Sequence, residues 1–139
     1  MKPIDQRSVR YIFVIDILSS YSKLKEQELI SQSLEILASV SEYKKHRKHY
    51  PKLFSDTIVN IDKIDLEISR HTSYMLRHDF KAILRCAIGE ILYAEYKLHR
   101  HSFFKFYKDL FIDIMPAGNN LLSPFMTILN SCFNAKFNS

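Results

Sequence analysis

The sequence predicts an all-α protein, a compact bundle of about six to seven helices forming one domain across residues 1–139. Three observations lead there. Hydrophobic residues make up 47% of the 139-residue chain, enough for a core without disulfides or a structural metal. Only 2 Gly and 4 Pro are present, too few for the many tight turns of a β-sandwich or barrel. Along most of the chain, apolar residues recur three and four positions apart, the period of a helix with one buried face.

Taken in order, Pro3 is placed to open the first helix, because its missing N–H would lack an intrahelical partner there anyway. Val9, Ile12, Phe13 and Ile17 mark the apolar face, and Ser19-Ser20 closes the segment. A second helix is predicted over about 25–43, with Leu29, Ile30, Leu34, Leu37 and Val40 buried and Glu28, Gln32 and Glu35 in water. The basic stretch Lys44-Lys45-His46-Arg47-Lys48-His49 follows, read as a frayed helix end and connector stopped by Pro51. Phe54, Ile58, Ile61, Ile64 and Ile68 place a third helix over 51–68, with a weakly signalled break somewhere in 70–77.

Asp79 is a candidate cap for the most regular helix, whose buried side reads Ile83, Leu84, Ala87, Ile88, Ile91 and Leu92. Gly89 inside it admits two readings, a close helix–helix approach or an ordinary tolerated glycine. Phe103, Phe106, Tyr107, Leu110, Phe111 and Ile114 define a helix over 102–115, closed by the turn signal Pro116-Ala117-Gly118-Asn119-Asn120. Ser123-Pro124 is expected to start the last helix, which carries Phe125, Ile128, Leu129, Cys132 and Phe133, and the tail from Asn134 is expected to fray.

Functional signals are fewer. The net charge is +5 at pH 7 and the sequence pI about 9.2, which suits phosphate backbones, anionic lipids and acidic protein faces alike. No apolar run is long enough to span a membrane, and no secretory cleavage pattern follows the apolar stretch 11–15, so a cytoplasmic location without membrane partners is expected. Cys86 and Cys132 form no disulfide framework, and Cys86 reads as a buried thiol. Phosphate-cradling loops need glycines, yet Gly89 and Gly118 stand alone, and no nucleophile elbow or carboxylate pair emerges. An enzyme is therefore not expected, nor any cofactor.

The histidine pairs His46/His49 and His99/His101 have spacings a metal could use, but both sit among lysines and arginines that oppose a divalent cation. No metal site is expected. Three basic clusters remain: Lys2, Arg7 and Arg10 beside Tyr11; 44–52; and Lys97, Arg100, Lys105 and Lys108. Arg7 and Arg10 lie one helical turn apart, so both guanidiniums can project from one face, where they can bind phosphate in pairs of hydrogen bonds or stack on bases. As a bare pattern, two such arginines are more often simply solvated.

Three segments taken together resemble the NusB family of transcription antitermination factors. The opening Met1-Lys2-Pro3 with Arg7-x-x-Arg10 is similar to the family's arginine-rich first helix. Phe54-Ser55-Asp56-Thr57-Ile58-Val59-Asn60-Ile61 resembles its F-x-x-L-[LV]-x-G-V helix, with Asn60 where glycine is usual. Lys81-Ala82-Ile83-Leu84-Arg85-Cys86-Ala87-Ile88-Gly89-Glu90-Ile91-Leu92 resembles the family's central helix in residue type and order. Phe125-Met126-Thr127-Ile128-Leu129 occupies the place of a C-terminal motif whose Asn-Gly pair is absent.

The resemblance implies a fold of two small packed helical subdomains and no catalytic residues. It implies binding of boxA-type single-stranded RNA together with the small-subunit ribosomal protein NusE, within the transcription elongation complex, in support of ribosomal RNA operon transcription. Lys2, Arg7, Arg10 and Tyr11 would then contact RNA, while Asp79 and Phe125 would contact the ribosomal protein. Phe125 is equally readable as core, and Arg85 and Glu90 as structural. The rival reading is a non-catalytic adaptor that keeps the fold and binds RNA weakly or not at all. The sequence leaves monomer and homodimer open, as it does the dominant basic cluster.

Overall fold

The computed structural model describes residues 50–71 and 78–137, together with Glu28 and Ser31, both helical and exposed. The described residues form five helices and no strand. These are α1 (Tyr50–Val59), α2 (Ile61–Ser69), α3 (His78–Tyr93), α4 (Arg100–Ile114) and α5 (Asn119–Phe137). The expected first helix and nearly all of the second fall outside the described residues.

Helix α3 organises the rest. An ordinary surface helix buries one stripe, whereas α3 buries Phe80, Ala82, Ile83, Leu84, Cys86, Ala87, Ile88, Glu90 and Ile91, which cover every side but the one carrying Lys81 and Arg85. It packs against α1, α2, α4 and α5 in turn. Complete burial of one such aliphatic side chain is worth about 1.5–3 kcal/mol, so this helix is the chief apolar contributor to the described core.

Close approach of α1 to α3 depends on Gly89. A Cβ built there would lie 2.7 Å from Thr57 Cγ2, and nearer still to the Thr57 hydroxyl. Of the two readings of Gly89, the structure selects the close approach. Thr57 is itself fully buried, its hydroxyl satisfied by donating to the Leu53 carbonyl one turn back at 2.8 Å.

Two polar links fasten α3 to its neighbours. Arg85 donates from Nε to Asp65 Oδ1 and from Nη2 to Oδ2, both at 2.8 Å, a planar two-point pairing with α2. On another side, the buried Glu90 carboxyl accepts from Tyr107 on α4 at 2.6 Å and from Tyr96 in the α3–α4 connection at 2.7 Å. The Cys86 thiol lies 3.5 Å from the same Tyr107 hydroxyl. A carboxyl group can sit in an apolar helix bundle because both its oxygens are met.

The structure divides the single helix expected over 51–68 into α1 and α2 at Asn60. That residue keeps helical hydrogen bonding on both sides, Asn60 N–H to the Asp56 carbonyl and Ile64 N–H to the Asn60 carbonyl, each at 3.0 Å. Its backbone departs to φ −102°, ψ 22°, while its side-chain amide also donates to the Asp56 carbonyl at 2.8 Å. An asparagine competing for the preceding turn's carbonyl explains the kink.

Two further boundaries correct the sequence reading. Helix α5 starts at Asn119, ahead of the expected Ser123-Pro124, and Pro124 lies inside it. Proline supplies no N–H, so the carbonyl of exposed Asn120 loses its intrahelical partner near the helix end, where water can replace it. The expected frayed tail is helical through Phe137, held by the rings of Phe133 and Phe137 at 4.6 Å between centroids. Asp79 lies within the first turn of α3, one residue after its start, where a carboxylate meets the positive end of the helix dipole.

Replacing Gly89 with alanine should destabilise the protein by roughly 1–3 kcal/mol through overpacking, measured by urea denaturation. Thr57→Ala in the Gly89→Ala background should recover part of that loss. Additive single-mutant effects would mean the two residues do not press on one another.

Candidate functional site

Helix α4 carries one basic ridge among the described residues, with Asp109 and Asp113 on the same helix. His101, Lys105 and Lys108 recur at spacings of four and three, so they form one exposed ridge, with Ile112 continuing it at 43% exposure. On the opposite flank of α4, Phe103, Tyr107, Leu110 and Phe111 enter the core. This amphipathic division is what keeps the ammonium groups in solvent.

Arg100, exposed at the first turn of α4, reaches across to α5. It donates from Nη1 to Asn134 Oδ1 at 2.6 Å and from Nη2 to Asn130 Oδ1. Its guanidinium carbon also stands 5.0 Å from the Phe104 ring centroid and 5.3 Å from that of Phe133. Asn130 and Asn134 are one turn apart on α5, so a single helix face supplies both acceptors. Beside this arginine runs an open groove of about 450 Å³, lined by Arg100, Phe104, Ser123, Met126, Thr127 and Asn130. A fixed cation, an aromatic ring and two hydroxyls in one groove suit a small anionic or planar group. Sequence spacing identified Arg100 as basic but had no way to pair it with asparagines thirty and thirty-four positions away.

Of the sequence-derived contact residues, Lys2, Arg7, Arg10 and Tyr11 lie outside the described residues. Asp79 is partly exposed. Phe125 is a correction. It has 0% exposure, with its ring 4.9 Å from Phe111 and 6.0 Å from Phe80, so its side chain is core and offers no partner surface. Through Phe80, the residue after Asp79, the fold brings these two distant positions to one end of α3.

The second basic cluster contributes Lys52 to the described residues. This exposed ammonium lies 2.9 Å from Asp56 and 3.3 Å from Glu95, and those hydrogen bonds raise its pKa above the ordinary lysine value. Arg85 is likewise committed, to Asp65, with Lys81 a more distant 3.7 Å from the same carboxylate. The basic residues around α3 are thus structural, whereas the ridge on α4 faces water.

The two thiols are buried, Cys86 at 3% and Cys132 at 5% exposure. Burial, with the negative Glu67 nearby adding to it, pushes the Cys132 thiol up to about 12. A thiol so protonated is a poor nucleophile at neutral pH.

Comparison with protein-family models, curated proteins and solved structures finds no match to this chain. No helix among the described residues is long and apolar enough to cross a membrane.

At neutral pH both cysteines should alkylate slowly in the native protein and rapidly in denaturant, read by mass spectrometry of the labelled chain. Fast native-state labelling of Cys132 would contradict the packing of α5.

Proposed function

We propose that this chain is a NusB-type transcription antitermination factor, a non-catalytic cytoplasmic protein that binds boxA-type RNA together with the small-subunit ribosomal protein NusE. One observation supports this reading above the others. Two of the three segments that resemble the family, 54–61 and 81–92, pack directly against each other through Gly89 and Thr57. The motif residues Arg85 and Glu90 each bond a neighbouring element, which gives a folding reason for a basic and an acidic residue in an otherwise apolar helix.

On this reading the whole chain forms about six to seven helices in two small subdomains, with the N-terminal arginine helix completing the fold. Lys2, Arg7 and Arg10 supply phosphate and base contacts, Tyr11 a stacking surface, and Asp79 a contact for the ribosomal protein. The exposed ridge of His101, Lys105 and Lys108 adds positive potential that draws in the polyanion without reading sequence.

A second reading is favoured by Gln6 and Ser8, which flank Arg7 where the family has further arginines. A chain so depleted could serve as a helical adaptor that retains the protein contact alone.

Titration of labelled boxA-like RNA separates them. Tight binding is expected only with the ribosomal protein present, and affinity should fall as salt rises because phosphates release counterions. Alanine at both Arg7 and Arg10 should cost roughly 1–3 kcal/mol of binding. An unchanged affinity in that variant would move the RNA site elsewhere. Partner binding without RNA binding would establish the adaptor, and binding of neither would refute both readings.

A further inference from the structure

At the end of α2, Glu67 and His71 are one turn apart, and α5 brings Cys132 up to them from 61 positions further along the chain than His71. One potential ligand atom from each residue lies within 4.8 Å of the other two. His71 Nε2 and Glu67 Oε1 stand 3.5 Å apart. In a tetrahedral zinc site, with bonds of about 2.0–2.1 Å to nitrogen and oxygen and 2.3 Å to sulfur, neighbouring ligand atoms stand roughly 3.3–3.6 Å apart. The imidazole and carboxylate therefore already have the spacing of two ligands, and the sulfur has at most about 1.5 Å to close.

We propose that Glu67, His71 and Cys132 form a binding site for a thiophilic divalent transition metal, zinc above all. The donor set selects the metal: sulfur and imidazole disfavour magnesium and calcium, which take oxygen ligands, and suit zinc. Arg70 holds the far oxygen of the Glu67 carboxylate, Nη1 to Oε2 at 2.8 Å, and so leaves Oε1 directed at His71. Such an outer contact fixes a ligating carboxylate in the way metal sites commonly require. Metal binding replaces the Cys132 S–H bond with an S–metal bond, and the proton leaves to solvent. Thiolate and carboxylate together neutralise the dication. His71 and Glu67 are about a quarter exposed, which provides an entry path and leaves a fourth position to water.

The structural consequence is specific. Helices α2 and α5 both pack on α3 but touch one another little, so a shared ion would cross-link two elements joined otherwise through α3 alone. This inference is independent of the RNA-binding proposal.

The test uses the full chain, untagged, reduced and stripped of metal, titrated with cobalt(II) as a spectroscopic stand-in for zinc. The expected result is one equivalent bound, with a sulfur-to-cobalt charge-transfer band and the intense visible bands of four-coordinate cobalt, displaced by added zinc. Zinc alone should also raise the melting temperature. Cys132→Ser should abolish the sulfur band while Cys86→Ser retains it. His71→Ala, two residues beyond the end of α2, should weaken cobalt binding at least about tenfold. Absence of the sulfur band in the wild-type chain overturns the proposal, as does its survival in Cys132→Ser. Unchanged cobalt affinity in His71→Ala overturns it equally. Cobalt bound without a sulfur band would place the ion on paired histidines such as His99 and His101, against the site proposed.

Discussion

Everything described in this fold depends on the burial of α3 on all sides but one. A helix with one apolar stripe can be covered by a single neighbour, but α3 has no face it can leave to water apart from the edge carrying Lys81 and Arg85. Four helices must therefore meet around it, and each meeting is specified differently. The contact with α1 is steric, set by the missing Cβ at Gly89; that with α2 is ionic, through Arg85 and Asp65; that with α4 includes the tyrosine–carboxyl cluster at Glu90. The contact with α5 is aromatic, the Phe80 and Phe125 rings meeting edge to face. Different chemistry on each side discourages exchange of one neighbour for another, which apolar burial alone would allow, because burial has no direction.

That arrangement decides which polar residues remain for binding. Polar groups drawn inward, such as Glu90 and Arg85, are committed to holding helices together, and removing one would leave the partner group short of a hydrogen bond. Residues on the far face of α4 have no such duty. The separation follows from helical periodicity: with the core at 103, 107, 110 and 111, the positions 101, 105 and 108 fall on the solvent side. A basic ridge there can change in sequence without disturbing the bundle, as an electrostatic surface requires.

The helical class was legible from composition and spacing, and so were the cores of α3 and α4, because their apolar periods are long and regular. The boundaries that misled did so for local reasons. Asn60 breaks a continuous apolar period by taking a carbonyl from the preceding turn, an effect that hydrophobic spacing does not register. Pro124 has the form of a helix start and is an interior residue, since the helix near its end tolerates one lost N–H. Phe125 matched a motif position, but its depth depends on Phe80 and Phe111, each from another helix. Pairings such as Arg100 with Asn130 and Asn134, or Arg85 with Asp65, join segments whose separation carries no period at all.

The same limit bears on the cluster of Glu67, His71 and Cys132. Sequence reasoning about metals looks for ligands within a few residues, and it weighed His46/His49 and His99/His101 for that reason. Those pairs lie in strongly basic surroundings, where a dication is repelled. Near Glu67 the balance differs, because a carboxylate and a thiol stand together and the adjacent Arg70 is itself bound to the carboxylate's far oxygen. What determines a site is the set of charges that folding gathers, not the proximity of histidines along the chain. Here the gathering is done by α3: it holds α2 on one flank and α5 on another, and so brings Cys132 to Glu67 and His71, more than sixty positions earlier in the chain.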